Sequence, residues 1–216
     1  MVVAIDGPSG AGKGTLARSV AERLGYTHVD TGAMYRAVAW KAQQEGILLD
    51  DDAAVSALAE RSAIVQQDGR TTIDGVDITR EIRTPAIDKA AASVARLPTV
   101  RDALVREFRR LGQGGAVVME GRDIGTVVFP DADLKFYIDA SPEERARRRA
   151  ADPAHTGGQG SLQLVQNDIA ARDKSDSTRA VAPLAKANDA IYIDTTSMPI
   201  DAVVTRVMSL IQERLE

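Results

Sequence analysis

Apolar positions along the chain switch repeatedly between the strand and helix periods, and this alternation predicts a sheet wrapped in helices. Val2-Val3-Ala4-Ile5 is a short β-branched run closing on Asp6 and a glycine, the pattern of a strand buried on both faces. Over 15–24 the spacing turns helical (Leu16, Val20, Leu24), and Gly25 supplies a stop. A strand over 27–29 leads through Asp30-Thr31-Gly32 to a helix over 33–45, and Asp50-Asp51-Asp52 place negative charge before a helix over 53–61. From 62 to 83 the pattern changes. Ile64-Val65-Gln66-Gln67 and Arg70-Thr71-Thr72-Ile73 flank Asp68-Gly69, and Asp74-Gly75 precedes Val76-Asp77-Ile78-Thr79. Two such turns predict short antiparallel strands inserted into a larger α/β domain. Helices follow over 85–95 and 98–111, each with proline near its start. Strands are expected over 116–120, 134–139 and 190–193, and helices from 162 towards Lys174 and over 200–214. Ser141-Pro142-Glu143-Glu144 reads as a capping box opening another helix, and 152–161 as a mobile loop. Strands alternating with helices imply a mainly parallel sheet covered on both faces.

Composition narrows the chemistry. With 216 residues and 44 % hydrophobic content the chain can bury one α/β core. A net charge of -4 argues against a partner that is a nucleic-acid polymer, while leaving room for a local basic cleft. The absence of cysteine excludes disulfides, thiolate metal sites and cysteine nucleophiles. Only His28 and His155 offer imidazole, too few for a histidine-rich metal site. No window approaches the ~18–20 apolar residues of a membrane span, and the start lacks a secretory pattern. A cytoplasmic chain is expected, and a monomer, since no long apolar stripe demands a dimer.

Gly7-Pro8-Ser9-Gly10-Ala11-Gly12-Lys13-Gly14-Thr15 matches G-x-x-x-x-G-K between a strand and a helix, the context that a phosphate-binding loop requires. Glycines let successive N–H groups turn inward at a helix N-terminus, and Lys13 adds a full charge for the β- and γ-phosphates. The hydroxyl usual directly after the lysine is displaced to Thr15. Magnesium, brought as MgATP, would then be held mostly by phosphate oxygens and waters, with Thr15 and Glu120 acting through water. A nucleoside triphosphate is thereby predicted; the acceptor needs other evidence.

That evidence is arginine, which makes up 21 of the 27 basic residues. Tyr35-Arg36 follows the second strand and Gly121-Arg122-Asp123 follows a later one, so parallel topology brings Arg36 and Arg122 near Lys13. Arg101 opens a helix, and Arg145, Arg147, Arg148 and Arg149 crowd another. These four cannot share one side; Arg145 or Arg148, with Arg149, is expected to face the cleft. Arg172-Asp173-Lys174-Ser175-Asp176-Ser177-Thr178-Arg179 follows the glycine-rich loop, whose Gly157-Gly158-Gln159-Gly160 would hinge a lid. Several guanidiniums round one cleft suit two phosphorylated ligands. An acceptor that is itself a phosphate is already ionised and needs no catalytic base. Asp123 and Asp176 then read as binders of hydroxyls or an amine, or simply as partners of arginines.

Together these motifs resemble the bacterial cytidylate kinases, nucleoside monophosphate kinases of the P-loop class. The resemblance rests on the 5–15 loop, Asp30-Thr31-Gly32-Ala33-Met34-Tyr35-Arg36, Glu81-Ile82-Arg83-Thr84, Pro98-Thr99-Val100-Arg101, Arg179-Ala180-Val181-Ala182-Pro183-Leu184, and above all Gly121-Arg122-Asp123-Ile124-Gly125-Thr126-Val127-Val128-Phe129-Pro130. It implies ATP-dependent phosphorylation of CMP or dCMP, on a P-loop fold with a five-stranded parallel sheet. It further implies a core over 1–31, 97–148 and 180–216, a monophosphate-binding subdomain over about 32–96 with its insertion at about 62–84, and a lid over about 149–179. By position, Thr31, Arg101 and Asp123 would read cytosine; Arg36, Arg122 and Arg179 would hold the acceptor phosphate; Tyr35, Arg172 and Asp176 would line the sugar. Lys13, Arg122, Arg179, Arg145 and Arg148 would stabilise the transfer. Three departures stand out: Thr31 and Ala92 where the family commonly has Ser, and Glu120 where it has Asp. A kinase for UMP or another monophosphate, or a nucleotide-dependent switch, are the alternative readings.

Overall fold

In the computed structural model, which describes residues 1–152 and 161–215, alternation within each strand decides which core its side chains enter. Five parallel strands run in the order β2 (Thr27–Asp30), β6 (Val117–Gly121), β1 (Val2–Asp6), β7 (Leu134–Asp139) and β8 (Ile191–Asp194). Val117 and Met119 of β6 join Ala4 of β1 in a core with α2 (Thr31–Gln44), α3 (Asp52–Arg61), α4 (Pro85–Val94) and α5 (Pro98–Gly112). Val118, Val3 and Ile5 pack on the other face against α1 (Lys13–Leu24) and α8 (Ile200–Leu215). Both faces are dry, so the strands carry continuous apolar runs. In register, Asp6 stands level with Gly121 and Tyr137, and Asp30 with Glu120. The carboxyl ends therefore open at one edge, the place where open parallel sheets bind ligands.

The inserted strands β3 (Ile64–Gln67), β4 (Arg70–Ile73) and β5 (Val76–Asp77) form the expected antiparallel sheet. Asp68 and Gly69 (φ 51° and 75°) and Asp74 and Gly75 (φ 49° and 81°) take the paired left-handed conformations that tight hairpin turns demand. Ile73, Ile78 and Ile82 dock this unit on Ala33 and Ala37 of α2 and Ile87 of α4. Gln66 ties it to the open edge: its Oε1 accepts from Asp30 N (2.9 Å) and its Nε2 donates to Asp30 O (2.7 Å).

Three elements differ from the sequence reading. The capping box of α6 (Pro142–Ala151) is half formed. Ser141 Oγ accepts from Glu144 N (3.2 Å), but Ser141 N donates to Thr196 Oγ1 (2.9 Å). The Glu144 carboxylate goes instead to Arg147 (2.7 Å) and Arg148 (2.8 Å), because charge-assisted bonds outcompete one backbone N–H. The helix expected from 162 towards Lys174 is α7 (Leu162–Thr178), which runs on through Asp176. Its Ser- and Asp-rich end has turn-like composition, yet Leu184 N docks on Asp176 O (2.9 Å) and keeps it helical. Finally, Ile124–Val128 forms a π-helical turn that no periodicity announced. Asp6 takes the N–H groups of Ile124 and Gly125 (2.8 Å each), and Phe129 N closes the wide turn on Ile124 O (2.7 Å). The glycines at 157, 158 and 160 lie outside the described residues. Among the described residues, no helix is long and apolar enough to cross a membrane.

Phe108 of α5 is 1 % exposed and meets Tyr35 of α2 edge-on at 6.0 Å, under the open edge of the sheet. Truncating it, Phe108→Ala, is expected to cost about 3–5 kcal/mol of stability, read as a lower urea midpoint at constant slope. An unchanged midpoint would show that this layer does not hold α2 to α5.

Candidate active site

The loop between β1 and α1 is shaped by what surrounds it. A Cβ at Gly7 would lie 2.0 Å from the Ile138 carbonyl oxygen, and Gly12 caps α1 at φ 89° with no side-chain bond to the helix N–H groups. Those donors remain for an anion. Lys13 Nζ is buried and donates to Pro8 O (2.7 Å). Burial, with the nearby Arg122, pushes its pKa down to about 7, against the pull of Glu120, Asp173 and Asp6. Behind it, burial raises Asp6 to about 6 although two N–H groups favour its charged form. Asp6 thus fixes the π-helical turn next to Arg122 and Asp123.

Helix α6 clamps the loop from outside. Arg145 donates to Ala140 O (3.1 Å) and Ser9 O (3.0 Å) and pairs with Asp173 of α7, which in turn accepts from Ser9 N (2.9 Å). Arg148 donates to Ala11 O (3.2 Å) and to Thr195 Oγ1 (2.9 Å) and O (2.6 Å). Arg147 points to solvent on Glu144, whereas Arg149 crosses to Asp88 of α4. Arg145 and Arg148 therefore both hold the loop, but of the two only Arg148, together with Arg149, lines the cleft.

On the acceptor side, Thr31 Oγ1 donates to Glu120 O (2.7 Å). Tyr35 is buried with Arg101 5.6 Å above its ring, and burial raises its hydroxyl to about 12 against the opposing charge of Arg101. Arg101 pairs with Asp123, and Arg179 Nη2 lies 3.3 Å from the same carboxylate. Burial lifts Asp123 above the usual carboxylate range despite both guanidiniums. Arg122 Nε donates to Asp176 (2.8 Å); burial would raise Asp176, but Arg122 and Arg172 outweigh it and hold it low. Arg36 donates to Asp30 (3.1 Å), whose pKa falls to about 2: burial opposes this, and Arg36 and the Ala33 N–H prevail. Arg172 donates to Asp88 (2.9 Å).

These groups do not all reach one open space. A cleft of about 750 Å³ is walled by the Gly-rich loop, Arg36, Arg122, Arg148, Arg149 and Arg172. Arg101, Asp123 and Arg179 lie behind that wall, buried and ion-paired. Buried Arg36 Nε, Arg172 Nε, Thr126 Oγ1 and the Tyr35 hydroxyl find no hydrogen-bond partner among the described residues, and Arg179 Nη2 has only the Asp123 carboxylate at 3.3 Å. Such donors are costly unless an anion or polar ligand completes them. Ala92 offers no hydroxyl, and its neighbour Ser93 bonds back to Lys89 O (3.4 Å) within its own helix. Glu120 bonds His28 Nε2 (3.2 Å), and its Oε1 lies 3.1 Å from where a Cβ at Gly14 would stand. The longer acid and the glycine after Lys13 are thus sterically matched.

The sequence reading passed over Asp30, Asp88 and Asp173, the carboxylates that organise these arginines. Its available signal was the arginine excess itself, since guanidiniums near a core require anions close by.

A family model described as cytidylate kinase matches residues 3–213. The chain is 49 % identical over 212 residues to a cytidylate kinase of Pelotomaculum thermopropionicum, covering 96 % of this chain and 94 % of that one. It is 47 % identical over 218 residues to a cytidylate kinase of Geobacter sulfurreducens, covering 99 % and 94 %. A shikimate kinase from Acinetobacter baumannii in complex with shikimate shares the fold at TM-score 0.52 and 17 % identity, over 98 % of this chain and 93 % of that one.

Lys13 generates a pH prediction. An anion in the loop raises its pKa from about 7, so binding takes up a proton at higher pH and affinity falls as pH rises through and above 7. Calorimetry with inorganic tripolyphosphate at pH 8, in two buffers of different ionisation enthalpy, should show this uptake. Binding without proton uptake and without a pH slope would contradict the buried, depressed lysine.

Proposed function

Since the chain belongs to the cytidylate kinase family and so transfers the ATP γ-phosphate to CMP, we propose that the groups around its cleft divide that work between two nucleotides. The loop from Gly7 to Thr15 holds the triphosphate, with Lys13 on the β- and γ-phosphates. Arg36, Arg122 and Arg179 receive the CMP phosphate, Tyr35, Arg172 and Asp176 its sugar, and Thr31, Arg101 and Asp123 its base. Asp123 accepts from the cytosine amino group while Arg101 donates to ring acceptors; uracil reverses that polarity and is disfavoured. CMP and dCMP both fit this scheme. A core over 1–31, 97–148 and 180–216, a monophosphate-binding part over about 32–96 and a lid over about 149–179 are the corresponding divisions.

One observation carries the acceptor assignment: Arg36 and Arg172 each keep a buried Nε–H without an acceptor among the described residues. Phosphate and ribose oxygens complete such donors. The acceptor oxygen is already ionised at neutral pH, so the residues contribute alignment and charge neutralisation, and no general base is required.

The donor set also fits magnesium. Hard oxygens of Thr15 and Glu120 flank the loop, and among the described residues no cluster of three carboxylates or imidazoles competes for the ion. This suits a cation that keeps waters and takes most of its ligands from the nucleotide. Brought as MgATP, the ion would supply charge neutralisation to the triphosphate, with Thr15 and Glu120 holding it through water.

Release of ADP measured with CMP, dCMP, UMP and AMP tests the acceptor; preference for UMP or AMP over CMP would reject it. Arg122→Ala is expected to raise the KM for CMP at least about tenfold more than that for ATP, as loss of a buried charged hydrogen bond implies. Equal losses for both substrates would contradict its assigned place.

A further inference from the structure

Asp88 stands where four helices converge. It lies on α4, and three guanidiniums from three other helices reach it. Arg172 Nη1 of α7 is 2.9 Å from Oδ1, Arg36 Nη1 of α2 is 4.0 Å from the same oxygen, and Arg149 Nη2 of α6 donates to Oδ2. All four side chains are largely removed from water, at 13–22 % exposure. Asp30 takes part of the charge of Arg36 (3.1 Å), yet among the described residues three guanidiniums share the Asp88 carboxylate. Surface pairs of this chain, such as Arg106–Glu60 and Arg110–Glu107, are matched one to one. The cluster is short of acceptor atoms as well as of charge, because Arg36 Nε and Arg172 Nε remain without partners among the described residues.

We propose that Asp88 is a positioning residue of the acceptor site, a built-in anion that holds Arg36, Arg149 and Arg172 together until CMP takes its place, the phosphate drawing Arg36 away and the sugar side, next to that phosphate, drawing Arg172. The proposal rests on CMP being the acceptor and says what sets its affinity. A phosphate dianion offers three terminal oxygens and twice the charge, so it satisfies these guanidiniums better than one carboxylate does. Part of its binding free energy is nonetheless spent on displacing Asp88. The exchange also frees Arg149 and Arg172, on the two helices that flank the cleft, from α4.

Asp88 lies in the first turn of α4, where its charge also favours the helix; stability alone therefore does not diagnose its role, and the KM split does. In Asp88→Asn the KM for CMP is expected to fall about three- to tenfold, with the KM for ATP within about twofold. Methyl phosphate, titrated by calorimetry as the dianion alone, should bind tighter by a similar factor, and Asp88→Glu should return the KM for CMP towards the parent value. A higher KM for CMP, parallel shifts for both substrates, or unchanged methyl phosphate binding would overturn the proposal. A crystal structure with CMP tests it without any variant: Arg36 should leave Asp88 for the phosphate and Arg172 for the sugar side of the nucleotide, and retention of all three arginines on Asp88 would overturn it. Tighter methyl phosphate binding in Asp88→Asn, with no turnover of CMP by the parent enzyme, would reject the acceptor and support the exchange.

Discussion

A guanidinium taken out of water must have an anion beside it, and the arrangement of this enzyme's cleft follows from that requirement. Arg101 and Arg179 are buried on Asp123, Arg122 on Asp176, and Arg145 on Asp173. Each pairing joins different elements of the fold, so these buried charges hold α5, α7 and the strand ends in place. The protein's own carboxylates do not saturate the cluster, which leaves it receptive to a ligand richer in negative oxygen.

Local chemistry made much of the fold legible. The apolar run of β1, the glycine-rich loop and the two Asp-Gly turns each depend on neighbouring residues, and each appears where the pattern places it. The π-helical turn did not, because its cause is Asp6, a carboxylate from a different strand that claims two N–H groups of the turn. The end of α7 escaped for the same reason: contact with Leu184 outweighs its turn-prone composition.

The cleft divides in the same way. The loop lysine and the arginines after the strands were visible because motif and topology place them. Asp30, Asp88 and Asp173 were invisible because nothing in their local sequence says which arginine each will meet. Glu120 shows how one departure is absorbed: the longer acid reaches the first turn of α1, where Gly14 carries no side chain to obstruct it, and His28 holds the same Oε1.

The grip of α6 on the phosphate loop has a further consequence. A trans peptide is a rigid plate whose carbonyl and N–H point opposite ways. When Arg145 captures the Ser9 carbonyl and Arg148 that of Ala11, the plates they belong to cannot turn over, and the N–H groups of Gly10 and Gly12 must face away from the helix. Two cations on the outside of the loop thereby set the polarity of its inner surface, and a shift of α6 would be felt as a rotation of dipoles before any nucleotide atom had moved.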